Sequence, residues 1–389
     1  MTRLKIQSNP KLLILYASYG DGHLQAARAI RDALADRGIE NTVLIDLLAE
    51  AHPFINEMTR RVYMKSYSML PGLYGWLYDR TRPMKHDSLF ASWLHSFGRE
   101  RLRKILIAQK PDAVIHTFPL LAMPALKQRT GLHIPSYTVV TDFDLHCRWV
   151  HPDIDRYYVP TPDMQQELIS LGIQERRICI SGIPLKRGFR SLSIDPSLRA
   201  SYGLSAAKAV VLVMASAQGT LSVLSDILTT LLLESDVTLV VVCGRNDLLA
   251  STLRQLFSSA VDTGQLRVFG YIERMHELMA LATCIVTKSG GVTLAEAMAV
   301  GLPIFTYRPV PGQERNNALY LEGKGAVTIV QTPEQLSFKI IELLRDPIRI
   351  LSRKTSLQKL QRRNAADTIA LDFCSSLHIM KGSVAIVQR

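Results

Sequence analysis

The sequence predicts two doubly wound α/β domains. Three observations lead there. Short apolar runs recur along the 389 residues, and each is closed by glycine, proline or small polar residues. Helix-period stretches fill most of the gaps between them, which is the alternation of a parallel sheet. The pattern also closes near residue 184 and restarts at 209, so it is laid down twice.

Taken in order, KLLILYAS (11–18) reads as a buried strand, Gly20-Asp21-Gly22 as its turn, and HLQAARAIRDALADRG as an amphipathic helix ending at Gly38. NTVLIDLL, DAVIHTFP (112–119), SYTVVTDF (136–143) and RYYVPT (156–161) supply four more strands, and RRICISGIP (176–184) closes the first half. LKRGFRSLSIDPSLRASYG reads as a linker. The second half begins with AVVLVMASAQG (209–219), a strand and turn that VTLVVVCGRND (237–247) repeats. QLRVFGYIERMHELMALA (265–282) reads as strand, turn and helix, and strands follow at 283–288, 302–307 and 326–330. The stretch 334–389 reads as helices. The expected domains are 1–190 and 200–350, with C-terminal helices over 351–389 that return toward the first domain. Ligands of such sheets sit beyond the carboxyl ends of the strands.

Composition narrows the class. Apolar residues make up 47% of the chain and charged ones 21%, which suits two ordinary cores. The five cysteines, Cys147, Cys179, Cys243, Cys284 and Cys374, are scattered without CxxC spacing. That argues for a reducing compartment and against a disulfide framework or zinc site. MTRLKIQSNP lacks the apolar core of a signal peptide, and no apolar run reaches bilayer length. The expectation is a soluble cytoplasmic protein.

The most informative stretch is TKSGGVTLAEAMAVGLPIFTYRPVPGQERNNA (287–318). A strand breaks at Ser289-Gly290-Gly291 and a helix opens at once, with Thr293 in its first turn and Glu296 one turn in. Such a turn presents backbone N–H groups to an anion, and the glycines allow close approach to a phosphate. Glu296 cannot hold phosphate, because both are negative, but it can accept hydrogen bonds from a sugar diol. Gln313, Glu314 and Asn317 in the following loop can read hydroxyls. Together they describe a nucleotide-sugar site. The glycine turn alone would be an ordinary βα connection. Ala215-Ser216-Ala217-Gln218-Gly219 ends the first strand of this half, where Ser216 can donate to a diphosphate. Gly270-Tyr271-Ile272 offers backbone edges to a uracil ring.

In the first half His23 falls at the start of a helix after a glycine turn. A positive helix end keeps an imidazole neutral, as a general base requires. Asp142, in VVTDFDLH, could serve as the base or orient His23, or it could cap a turn. Asp144, His146 and His151 are weaker candidates, and their spacing matches no zinc pattern. Thr117-Phe118-Pro119 ends a strand that could shape an acceptor pocket.

The net charge is +12, and residues 54–108 carry +6 of it, with ten Lys/Arg against four acids. Aromatic and aliphatic residues interleave there. Arg60, Arg61, Tyr67, Trp76 and Trp93 suit an anionic membrane surface, where rings enter the interface and cations meet headgroups. Core helices would show similar spacing, and so would a nucleic-acid face. No recognised nucleic-acid-binding motif accompanies the charge, so nucleic acid is not the expected partner.

The motifs YASYGDGHLQAA (16–27), HTFP (116–119), VVTDFDLHCRWVHPDIDRYYV (139–159), SGIPLK (181–186), VVVCGRN (240–246), FGYIERMHEL (269–278) and VTKSGGVTLAEA with PVPGQERNNA resemble, in this order, the processive diacylglycerol glucosyltransferases of Gram-positive bacteria. The chain is more distantly similar to plant monogalactosyldiacylglycerol synthases and to the peptidoglycan N-acetylglucosaminyltransferase. Where the latter has a GGTGGH-type first loop, this chain has SYGDGH. Ser289 stands where relatives often carry proline or another small residue.

The resemblance implies a GT-B fold, two Rossmann-like domains facing across a cleft. It implies inverting, metal-independent glucosyl transfer from UDP-glucose to diacylglycerol and then to the glycolipid product, with no cofactor. It implies an enzyme peripheral to the cytoplasmic face of the membrane. His23 or Asp142 would deprotonate the acceptor. Glu296 would hold the ribose, and Ser216, Gln218, Gly219 and the Ser289-Gly290-Gly291 turn the diphosphate. Gln313, Glu314 and Asn317 would read the sugar. Galactosyl transfer, UDP-sugar epimerisation and a non-catalytic UDP-sugar sensor are the alternatives.

Overall fold

The computed structural model describes residues 9–18, 21–51, 71–83, 98–119, 122–131, 133–191, 195, 197–205, 208–215 and 221–387. Two compact units emerge, one of residues 1–186 with 362–389 and the other of 187–361.

The first unit holds a six-stranded parallel sheet of β1 (Leu12–Tyr16), β2 (Thr42–Asp46), β3 (Ala113–His116), β4 (Ser136–Val139), β5 (Arg156–Val159) and β6 (Ile178–Ile180), in the order β2-β1-β3-β4-β5-β6. β1 and β3 are fully apolar until their last residues because helices cover both faces. One face packs on the helix Asp21–Ala35 through Ala27, Ala29, Ile30, Ala33 and Leu34. The C-terminal helix Ala365–Val387 covers the same face with Ala366, Ile369, Ala370 and Phe373. Asp372 on that helix accepts from Arg156 Nε (2.6 Å) and Tyr158 Oη (3.0 Å). Gly182 lets this segment in. Its φ is +90°, and a Cβ there would lie 2.6 Å from Arg362 Cβ.

The second unit repeats the plan with β7 (Ala209–Met214), β8 (Val237–Val242), β9 (Leu266–Phe269), β10 (Cys284–Val286), β11 (Ile304–Tyr307) and β12 (Val327–Val330), ordered β12-β11-β10-β7-β8-β9 and parallel throughout. β8, VTLVVV, is buried at every position, as a central strand covered on both faces requires. The core joins these strands to the helices Leu221–Leu231 and Pro333–Leu344. The eleven strands expected from the sequence are present, and the stretch that closes the first half supplies a twelfth, Ile178–Ile180. The stretch read as a linker instead contains the short helices Arg187–Arg190 and Leu198–Ser201. Among the described residues no helix is long and apolar enough to cross a membrane.

The strand order of each sheet reverses once, and in such folds the reversal is where ligands bind. In the first sheet it falls between β1 and β3, and in the second between β7 and β10.

Candidate active site

His23 occupies the first reversal. It lies two residues into the helix that follows β1, and β3 runs out beside it at Thr117. Asp46, at the end of β2, accepts the Ser18 N–H at 3.0 Å and so anchors the start of the turn leading to it. His23 Nδ1 lies 2.7 Å from Thr117 O and 3.1 Å from Thr141 Oγ1. A carbonyl can only accept, so Nδ1 carries the hydrogen, with the Thr141 hydroxyl as a second acceptor. The Nε2 lone pair is then left for chemistry. Phe118 meets the ring edge-on at 5.0 Å and Trp149 lies at 6.4 Å. His23 stays half-buried, with part of its surface open to solvent. Burial of the ring pushes its pKa down to about 4, against a smaller upward pull from the Thr117 carbonyl. The imidazole is therefore neutral at physiological pH, as a proton acceptor must be.

The other histidines of the expected cluster are committed elsewhere. His146 accepts the Arg148 N–H at Nδ1 (3.1 Å), and its Nε2 lies 3.2 Å from Thr81 Oγ1. That hydroxyl already donates to Leu77 O, so His146 Nε2–H donates to it. Burial and the neighbouring Arg148 lower the His146 pKa to about 2. His151 accepts the Asp153 N–H at Nδ1 and holds a turn. Asp142 is buried in the loop after β4, one residue beyond the threonine that touches His23. Its neighbour Asp144 accepts from Tyr78 Oη at 2.9 Å and pairs with Arg82 at 2.8 Å. Phe118, expected at the acceptor, forms one wall of the His23 site.

The second reversal holds the glycine turn. Gly290 precedes the helix Gly291–Ala299, and no side chain caps that end, so its first N–H groups have no side-chain acceptor, the arrangement that suits an anion. Gly290 has φ −70°, open to any residue, and a Cβ there would meet nothing within 4 Å. Nothing in the described protein requires glycine at this position, whereas a closely seated ligand would. The buried Ser289 hydroxyl has no partner among the described residues, and a phosphate oxygen would supply one. Thr293 and Glu296 are half-buried on this helix. Asn317 is fully buried on the helix that follows the 308–312 loop, and its amide donates to Ser289 O at 3.1 Å, which ties the glycine turn to that helix. That loop turns at Gly312, whose φ of +94° and ψ of −138° suit only glycine. The helix Gln313–Gly323 then opens with Gln313 and Glu314.

Tyr271 and Ile272 follow β9, with Tyr271 exposed and Arg245 over its ring at 5.3 Å. Ser216, Gln218, Gly219, Arg60, Arg61, Tyr67 and Trp93 lie outside the described residues. Trp76 is exposed on the helix Pro71–Thr81. Part of the basic surplus in 54–108 is balanced by ion pairs: Arg82 with Asp144, Arg101 with Glu50 and Arg103 with Glu100.

Several residues passed over in the sequence stand at these sites. Thr141 helps fix the His23 tautomer. Lys288 lies 3.6 Å from Glu314, a cation beside the anion turn. Arg245 was visible only inside a longer motif. Among the described residues no group of three or more His, Cys, Asp or Glu could hold a metal ion.

Comparison with known proteins bears on both halves. The monogalactosyldiacylglycerol synthase family model matches residues 23–185, and the glycosyltransferase family 28 C-terminal domain matches 210–369. The processive diacylglycerol beta-glucosyltransferase of Bacillus cytotoxicus is 39% identical over 358 residues, covering 92% of each chain. The chain belongs to this glucosyltransferase family. Two more distant solved structures share its fold. The glycotransferase of kitacinnamycin aligns with TM-score 0.61 and 17% identity, over 95% of this chain and 99% of that one. UDP-GlcNAc 2-epimerase from Neisseria meningitidis aligns with TM-score 0.60 and 15% identity, over 94% and 100%. The glucosyltransferase family thus shares its two-Rossmann-domain GT-B architecture with enzymes of other chemistry. The family match rests on 92% of the chain.

Proposed function

We propose that this protein transfers glucose from UDP-glucose to the free hydroxyl of diacylglycerol, and then to the glycolipid formed. The observation that carries the mechanism is the Nδ1–H of His23 held on Thr117 O, which frees Nε2 as the base. Nε2 takes the acceptor hydroxyl's proton as its oxygen attacks the anomeric carbon. The bond from that carbon to the diphosphate breaks, UDP leaves, and the configuration inverts from α to β. The uncapped helix at Gly290 and the Ser289 hydroxyl receive the charge that develops on the diphosphate. Glu296 takes the ribose diol, and Gln313 and Glu314 take the sugar hydroxyls. No metal step is included, a choice that rests on the family resemblance and is tested by adding EDTA.

The acceptor is a lipid, and the helix Pro71–Thr81 supports work at an anionic membrane surface. Leu73, Trp76 and Leu77 lie on one face of it and are 58%, 62% and 50% exposed. Peripheral attachment at the cytoplasmic face follows from a nucleotide-sugar donor and a bilayer acceptor.

The test offers UDP-glucose and UDP-galactose in competition to the protein with diacylglycerol in anionic vesicles, with and without EDTA, and weighs the lipid products. Glucolipid that survives EDTA, with a second sugar added in time, is the expected result. Galactolipid would move the assignment to galactosyl transfer. UDP binding with no lipid product would leave a sensor.

A further inference from the structure

The inner face of the helix Pro71–Thr81 is fastened to the loop that carries Thr141 and Asp142, and this joint has no part in the chemistry above. Tyr78 Oη donates to Asp144 Oδ2 at 2.9 Å, while Arg82, one residue past the helix, pairs with Asp144 Oδ1 at 2.8 Å. Thr81 meets His146 Nε2 at 3.2 Å, and the Tyr78 and His146 rings stand edge-to-face at 4.7 Å. The Cys147 N–H donates to Arg82 O and the Cys147 thiol to Thr81 O. Arg148 lies over the Tyr78 ring at 5.9 Å. Tyr78, Thr81, Asp144 and His146 are all buried.

A buried carboxylate that accepts from a hydroxyl and pairs with a guanidinium favours the arrangement that keeps both contacts. The helix and the loop are thus locked in register. The outer face of the helix presents Leu73, Trp76 and Leu77 to solvent. The far end of the loop sets the Thr141 hydroxyl on His23 Nδ1. A chain of adjoining contacts therefore joins an exposed apolar face to the second acceptor of the His23 Nδ1–H.

We propose that Tyr78, Arg82 and Asp144 form a positioning latch that couples the seating of the Pro71–Thr81 helix on the acceptor-bearing membrane to the alignment of His23. The three are positioning residues, since they act through Thr141 and the loop and touch no substrate. This inference rests on the lipid-acceptor reading above and deepens it. It states how contact with the bilayer reaches the reacting imidazole.

The test uses the full chain with Tyr78→Phe, Asp144→Asn and Arg82→Met, and Arg82→Lys as the conservative rescue. Tyr78→Phe keeps the ring against His146 and removes only the hydroxyl, so it is the variant that folds most safely. Four readouts are taken: Tm, donor KM, binding to anionic vesicles, and kcat with diacylglycerol in those vesicles. The latch predicts a kcat at least tenfold lower in Tyr78→Phe and Arg82→Met, with donor KM and vesicle binding within twofold of the parent. Arg82→Lys should recover most of the loss. The acid limb of kcat/KM should also move in Tyr78→Phe, because the loop no longer fixes the His23 environment. A kcat unchanged in Tyr78→Phe, or one that falls only with the folded fraction, overturns the latch. Absence of lipid transfer in the parent protein overturns the acceptor assignment itself, and the latch with it, so the two failures are told apart by the parent's activity.

Discussion

The pH dependence of transfer follows from the seat of His23. Its pKa is lowered from 6.5 to about 4, burial being the main cause. A base works only in its neutral form, so activity is present above the folded-state pKa and lost below it. At pH 5 an imidazole titrating at 6.5 would be neutral in about 3% of molecules, and one titrating near 4 in about 90%. The two cases differ about thirtyfold in rate at pH 5, against near equality at pH 8. The assay is kcat/KM for diacylglycerol glucosylation between pH 4 and 8 at low acceptor, because that ratio reports ionisation in the free enzyme. The acid limb should fall near 4. His23→Gln should lower the rate by about 10²–10⁴-fold, the range for a lost general base, and remove that limb. A limb near 6.5, or an unaltered limb and rate in His23→Gln, would refute the assignment and return the role to Asp142.

Three further outcomes can be checked. Gly290→Ala should leave thermal stability nearly unchanged, since a Cβ there meets nothing, while UDP binding by calorimetry falls at least tenfold; retained affinity would place the diphosphate elsewhere. Glu296→Ala should raise the KM for UDP-glucose by roughly 10–100-fold, the loss of a charged hydrogen-bond acceptor, with the unfolding midpoint little altered. Burial holds His116 near pH 4 and His146 near pH 2 in the fold, against 6.5 when unfolded. The unfolded chain therefore binds more protons below 6.5, and stability drops as pH falls from there, by about 2 kcal/mol per histidine at pH 5. Denaturant titrations at pH 7.5 and 5 measure this, and equal midpoints would contradict it.

Most of the strands were legible because strands covered on both faces are largely apolar, as in the run VTLVVV. The glycine turn at Ser289 was legible for a related reason, since a helix that opens without a cap leaves a mark in the sequence. The tautomer of His23 was not. It depends on Thr117 and Thr141, 94 and 118 residues away, and a threonine gives no signal of whether its oxygen faces an imidazole. His146 and Asp144 looked like candidates for chemistry because a sequence does not show that Thr81, Tyr78 and Arg82 already engage them. A charge count likewise does not show that Arg82, Arg101 and Arg103 each have a carboxylate partner in the fold.

The most direct measurement is transfer of labelled glucose from UDP-glucose to diacylglycerol in anionic vesicles, with the anomeric configuration of the product determined. The account predicts a β-linked glucolipid made by the parent protein and reduced to a trace by His23→Gln, while UDP binding persists. UDP bound with no glucolipid formed, or an α-linked product, would contradict it.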